Sequence, residues 1–318
     1  MSYMKIEKIV FMGTPDFAVP TLNALAETRF KPQLCITQPD RPKGRKRKQQ
    51  PTTVKITAQK LGIPIIQPQD INSLEPVNKI LEIAPDIIVT VAYGGYLNKY
   101  LRLLPTFGCI NLHPSLLPKY RGSAPINYAL FNGEKITGNT IFKIVAKMDA
   151  GPIISQNKIE IAEDDCYTSL YEKLSENGAE DIVNTLRDIE QNGLITNKQD
   201  HKKATFSHKL LKSDLLINWN DTTQKIRNKV RGLAEIPGIT AYFREKRIKI
   251  IEVEILDSVS QEISGTILDV SKKGIIVSAD DYNILLKKVQ PSGKNIMTSY
   301  AFSLGARLEK MEKFENGF

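Results

Sequence analysis

Asn111 and His113 are the residues whose types and spacing most directly suggest chemistry. They lie two apart at the end of an apolar run, Gly108 to Leu112, that reads as a strand. Strand side chains alternate between faces, so the two point the same way. One is an amide donor and the other an imidazole whose charge follows its surroundings. At the carboxyl end of a strand, such a pair could hold an oxygen that gains negative charge during a reaction. On the pattern alone, a satisfied structural histidine accounts for His113 equally well. Pro114 and Pro118 stop the strand and force an irregular loop, Ser115-Leu116-Leu117-Pro118, directly behind it. Asp149 follows another strand-like run, in Lys147-Met148-Asp149-Ala150-Gly151. By itself it reads as a turn residue before a glycine. Near an imidazole, its carboxylate would favour the charged ring and could hold a water for proton transfer.

The elements that must position these residues alternate between strand and helix. Ile6 to Met12 is an apolar run ending in Gly13, as expected of a strand buried on both faces. Further strands are predicted near 33–37, 64–67, 86–91, 140–145 and 153–161. Helices are predicted near 16–28, 54–61, 74–82, 124–131 and 167–190, the last ending at Gly193. This alternation implies an α/β, doubly wound, mostly parallel sheet, whose ligands bind beyond the carboxyl ends of the strands. Residues 194–213 are polar and basic and read as a linker. His201 and His208 lie there and read as solvated. After it come a helix near 222–233 and short strands near 240–243, 248–255, 265–270, 274–279 and 282–289, the pattern of a small β-barrel. The expected division is 1–193, linker 194–213, and 214–318.

At 318 residues the chain can bury two cores. It has no run of eighteen apolar residues and no signal-peptide pattern, so a cytoplasmic protein is expected. Cys35, Cys109 and Cys166 are odd in number and far apart, as expected of reduced, buried thiols. Three His and three Cys show no ligand spacing, so no metal site is expected. Gly13-Thr14 opens a helix after a strand, but neither G-x-G-x-x-G nor G-x-x-x-x-G-K-[ST] occurs. The formal charge is +9, and six basic residues fall within Arg41–Lys48 alone. A dense basic run after the second strand suggests either a solvated, mobile loop or a site for a polyanion.

Asn111-x-His113-Pro-Ser-Leu-Leu-Pro118, with the later Met148-Asp149-Ala150-Gly151, resembles the folate-dependent formyltransferase family. Val10-Phe-Met-Gly-Thr-Pro-Asp-Phe-Ala18, Gln38-Pro-Asp-Arg-Pro42 and Tyr120-Arg-Gly-Ser-Ala-Pro-Ile126 are similar to the members that act on aminoacylated initiator tRNA. The resemblance implies transfer of the formyl group of 10-formyltetrahydrofolate to the amino group of methionine esterified to initiator tRNA. It implies Asn111, His113 and Asp149 as catalytic residues, with Ser115, Leu116, Leu117 and Pro118 as the folate loop. Tyr93-Gly94 would line the other side. It implies that the inserted basic segment, with Arg41, Arg45, Lys46 and Arg47, engages the tRNA acceptor arm, and that the C-terminal barrel is OB-like. A monomer is expected. Two other readings are a formyltransferase for a small amine and a nucleic-acid-binding protein without catalysis. The barrel and the basic insertion argue against the first, and the joint presence of Asn111, His113 and Asp149 argues against the second.

Overall fold

A computed structural model describes residues 5–43 and 48–316. By density of contacts the chain forms two compact units, interleaved in sequence. One comprises residues up to Gly122, Ile136–Glu160 and Tyr171–Phe206. The other comprises Ser123–Lys135, Ile161–Leu170 and the chain from Ser207 onward.

The first unit is built on a seven-stranded sheet. Its strands are β1 (Ile9–Gly13), β2 (Leu34–Ile36), β5 (Ile65–Ile66), β6 (Ile87–Val91), β7 (Cys109–His113), β9 (Ile136–Lys143) and β10 (Ile153–Glu160), in the order β10-β9-β7-β6-β1-β2-β5. Labels β3 and β4 belong to Arg41–Lys43 and Lys48–Gln50, and β8 to Arg121–Gly122. β1 and β6 are buried along their whole length, which is why their sequences are continuous apolar runs. β7, β6, β1, β2 and β5 are mutually parallel. β9 is antiparallel to β7 and β10 antiparallel to β9, so the sheet is mixed and mostly parallel. Helices α1 (Val19–Ala26), α2 (Thr53–Lys60), α3 (Leu74–Ile83) and α4 (Lys99–Leu103) connect the strands. Their starts follow local capping chemistry: Thr52 Oγ1 accepts from Lys55 N ahead of α2, and Asn98 accepts from Leu101 N ahead of α4. The sequence pattern missed α4, because five residues hold too little periodicity to read.

The described ends of the basic segment pair with each other. β3 and β4 form an antiparallel ribbon, with Arg41 opposite Gln50 and Pro42 opposite Gln49. The backbone pairing holds the segment's ends together despite the like charges. Asp40 anchors its root, accepting from Lys55 Nζ at 2.7 Å and Gln67 Nε2 at 2.6 Å. Arg45, Lys46 and Arg47 lie outside the described residues.

The second unit holds α5 (Pro125–Phe131), the start of α6 (Tyr167–Asn192), α7 (Thr223–Leu233), α8 (Ser299–Ala306) and a curled antiparallel sheet. A short strand, β11 (Phe206–Ser207), precedes it. The sheet's strands are β12 (Ile239–Phe243), β13 (Lys246–Val259), β14 (Ile267–Ser271), β15 (Gly274–Ser278), β16 (Tyr282–Pro291) and β18 (Phe314–Glu315), with β17 (Met297–Thr298) beside β16. Its order is β14-β15-β16-β13-β12-β18, and the bridge Thr266–Lys313 links its two edges. Alternate residues of these strands, such as Ile248 and Ile250, face a core around Trp219, Phe243 and Phe314. No helix among the described residues is long and apolar enough to cross a membrane.

Candidate active site

Register places the candidate residues. Thr90 of β6 lies opposite Asn111 of β7, and on β7's other side Asn111 faces Phe142 and His113 faces Thr140. The Thr90 hydroxyl faces two acceptors, Asn111 Oδ1 at 2.7 Å and the Ile110 carbonyl at 3.0 Å, and Asn111 Nδ2 donates to the Leu112 carbonyl at 3.2 Å. A hydroxyl supplies one proton and an amide nitrogen two. The Leu112 bond therefore turns Nδ2 toward the end of the strand and uses one of its two hydrogens, leaving the other to meet a bound oxygen.

The His113 ring is 5% exposed and packs edge-on to Phe142 at 6.4 Å. Its Nε2 lies 2.9 Å from the Tyr120 carbonyl. A carbonyl only accepts, so Nε2 carries a hydrogen and Nδ1 is the nitrogen that can gain or lose a proton. Nδ1 lies 3.7 Å from Asp149 Oδ2, an ion-pair separation rather than a hydrogen bond.

Asp149 arrives by an unexpected route. Because β9 is antiparallel, it ends level with Ile110, at the amino end of β7. The loop after it must double back to bring Asp149 to His113. Three contacts hold it there. The Gly122 amide donates to Asp149 Oδ2 at 2.8 Å, and Gln199 Nε2 donates to the Asp149 and Gly151 carbonyls at 2.9 and 2.7 Å. Asp149 has φ 48°, in the left-handed region that few residues with a Cβ adopt. Gly151 lies so close to β9 that a Cβ there would overlap the Lys143 carbonyl. Asp149 is thus both a turn residue and a carboxylate aimed at the imidazole.

The loop Ser115–Pro118 is held from within. The Ser115 amide donates to the His113 carbonyl at 2.9 Å, and the Leu117 amide to Thr140 Oγ1 at 3.1 Å. The Leu117 carbonyl accepts from Gln156 Nε2 at 2.8 Å. Of the loop's amides, Leu116 N–H alone has no acceptor among the described residues. Tyr93 and Gly94 follow β6, beside the end of β7. Tyr93 is buried, and burial, with Asp70 adding to it, pushes its phenol up to about 12. Burial likewise raises the Cys35 and Cys109 thiols to about 12, as inert core thiols require, whereas Cys166 is only half-buried.

Sequence reasoning missed Thr90, Arg121 and Gln199. Arg121 is 1% exposed and donates through Nε and Nη2 to Gln199 Oε1 at 3.1 and 2.6 Å. Burial lowers its pKa, and the Asp149 charge opposes that shift. Its Nη2 also lies 2.9 Å from His201 Nδ1, which must be the acceptor. His201 is therefore exposed but partnered, not simply solvated as its sequence setting implied. The one available signal was the odd arginine in Tyr120-Arg121-Gly122, a charge beside an apolar loop.

Comparison with known proteins gives an independent view. The profile of the formyl transferase family matches residues 7–186, and that of the formyl transferase C-terminal domain matches residues 209–307. The chain is 41% identical over 304 residues to the methionyl-tRNA formyltransferase of Kosmotoga olearia, covering 95% of this chain and 98% of that protein. It is 40% identical over 303 residues to the Bacillus subtilis enzyme of the same name, covering 95% and 96%. Among solved structures, the Helicobacter canadensis N-formyltransferase in complex with folinic acid and dTDP-3-aminofucose is similar in fold. Its TM-score is 0.66 at 20% identity, covering 90% of this chain and 99% of that one. HypX from Aquifex aeolicus in complex with tetrahydrofolic acid gives 0.60 at 14% identity, covering 100% of this chain and 51% of that one.

Proposed function

The chain belongs to the formyl transferase family, and from that premise we propose that it moves the formyl group of 10-formyltetrahydrofolate to the α-amino group of methionine on initiator tRNA. The observation that carries this reading is the convergence of Asn111, His113 and Asp149 in a chain similar along nearly its whole length to methionyl-tRNA formyltransferases.

Attack of the amine on the formyl carbon puts negative charge on the formyl oxygen. Asn111 Nδ2 supplies one donor to that oxygen, and protonated His113 Nδ1 a second, charge-assisted one. The attacking amine must lose a proton and the departing folate nitrogen must gain one. Asp149, beside Nδ1, is placed to serve that exchange. Ser115–Pro118 forms the folate-facing wall, presenting apolar side chains and the Leu116 amide to a flat ring edged with polar atoms. Arg41, Arg45, Lys46 and Arg47 hold phosphates of the acceptor arm. The curled sheet of the second unit helps seat the tRNA.

The test is formyl transfer from 10-formyltetrahydrofolate to initiator and elongator methionyl-tRNA. Transfer to the initiator species with strong preference supports the reading. Transfer to small amines, with neither tRNA accepted, would replace it with the small-amine reading.

A further inference from the structure

The interactions around Asp149 converge on one side chain that no chemistry has yet required. We propose that Gln199 is a positioning residue: it ties the loop carrying Asp149 to the buried Arg121 and thereby sets where the Asp149 carboxylate lies against His113. The proposal rests on the reading of Asp149 as catalytic.

Gln199 is 7% exposed and its carboxamide is saturated. Both Nε2 hydrogens go to one loop, to the carbonyls of Asp149 and Gly151. Both Oε1 lone pairs go to one guanidinium, that of Arg121. The amide's orientation follows from the partners, since carbonyls only accept and a guanidinium only donates. No other uncharged side chain of this length offers two donors at one end and an acceptor at the other.

What the amide joins gives it a role. Arg121 sits between Tyr120, whose carbonyl fixes His113 Nε2, and Gly122, whose amide holds Asp149 Oδ2. The same three residues thus orient the imidazole and grip the carboxylate. Gln199 fastens them to the backbone of Asp149 itself. Asp149 lies in the left-handed backbone region, which aspartate tolerates as a single turn residue though any residue with a Cβ favours it less than glycine, and the Gln199 bonds help hold it there. The 3.7 Å gap between Nδ1 and Oδ2 lies where a small displacement decides whether the two groups communicate.

A residue that only held the fold together would slow the enzyme equally whether or not residue 149 is a carboxylate. A residue acting through that carboxylate would not. Two variants separate the possibilities. Gln199→Glu keeps acceptors for Arg121 and loses both donors to the loop; Gln199→Leu loses all four bonds. Each is made in the wild type and in Asp149→Asn, then measured for kcat, both KM values and thermal unfolding. If Gln199→Leu fails to fold, Gln199→Glu carries the test. We expect Gln199→Glu to lower kcat by about tenfold or more with both KM values within about twofold. In the Asp149→Asn background the same change should cost less than about twofold, because coupled residues are not additive. Equal losses in both backgrounds would overturn the proposal. So would wild-type kcat in a folded Gln199 variant when Asp149→Asn is slow. Wild-type kcat in Asp149→Asn itself would instead remove the premise, by showing that the carboxylate has no part in the reaction.

Discussion

At the scale of single residues, Asn111 can serve a developing oxyanion only if its amide presents nitrogen rather than oxygen. The Leu112 carbonyl sets this by accepting from Nδ2, and the Thr90 hydroxyl, which faces both Oδ1 and the Ile110 carbonyl, supports it. Asn111→Ala and His113→Ala should each lower kcat by about 10²-fold or more, with modest change in folate KM. Rates within about threefold of wild type in single-turnover assays would remove both from the mechanism. Thr90→Val keeps the shape of the side chain and frees the amide to turn, so it should cost about tenfold in kcat with the fold intact. An unchanged kcat would show that Asn111 is oriented by the Leu112 carbonyl alone. The pair itself was legible in the sequence, because two residues on one strand share a face whatever surrounds them. Thr90 was not, because it reaches Asn111 through the register of two strands 21 residues apart. Gln199 was harder still, as it belongs to a segment with no periodic pattern.

At the scale of elements, alternating strand and helix identified the parallel core, but no periodicity announces that β9 reverses. That reversal is why the Asp149 loop must double back and pass close to its own strand at Gly151. Gly151→Ala should therefore lower stability by about 2 kcal/mol or more, read from urea midpoints, and slow turnover as Asp149 shifts. A variant as stable and as fast as wild type would mean that the loop can move aside at no cost. Helix α6 makes a second testable contact with this sheet edge. Burial raises the pKa of Asp181 against the lowering effect of bonds from Asn157 and Asn139, with Glu180 adding to the rise. A carboxyl whose folded pKa is raised is held better when protonated. Its contribution is thus fully present below the ordinary aspartate range near pH 4 and is lost as pH rises through the folded value. Asp181→Asn should flatten stability against pH above about pH 4 and leave the neutral-pH protein no less stable. Denaturation curves whose pH dependence matched wild type would exclude this.

At the scale of the whole molecule, the net charge of +9 is unevenly spread, and Arg41–Lys48 carries a large part of it. Phosphate contacts make binding weaken with salt, with a log–log slope of about −0.9 for each phosphate neutralised on duplex. Replacing Arg45, Lys46 and Arg47 together by Gln should raise KM for tRNA, flatten its salt dependence by up to about three such increments, and leave KM for the formyl donor unchanged. Parallel salt series with equal affinities would reduce the segment to a connector. The interleaving of the two units reaches further. Asn127 of α5 donates to the Gly232 carbonyl of α7 at 2.8 Å, although more than a hundred residues separate them. A chimera that exchanged only the chain beyond residue 207 would set a foreign α7 against a resident α5. A transplantable second unit must bring residues 123–135 and 161–170 with it, so recombination between relatives has three segments to carry over rather than one.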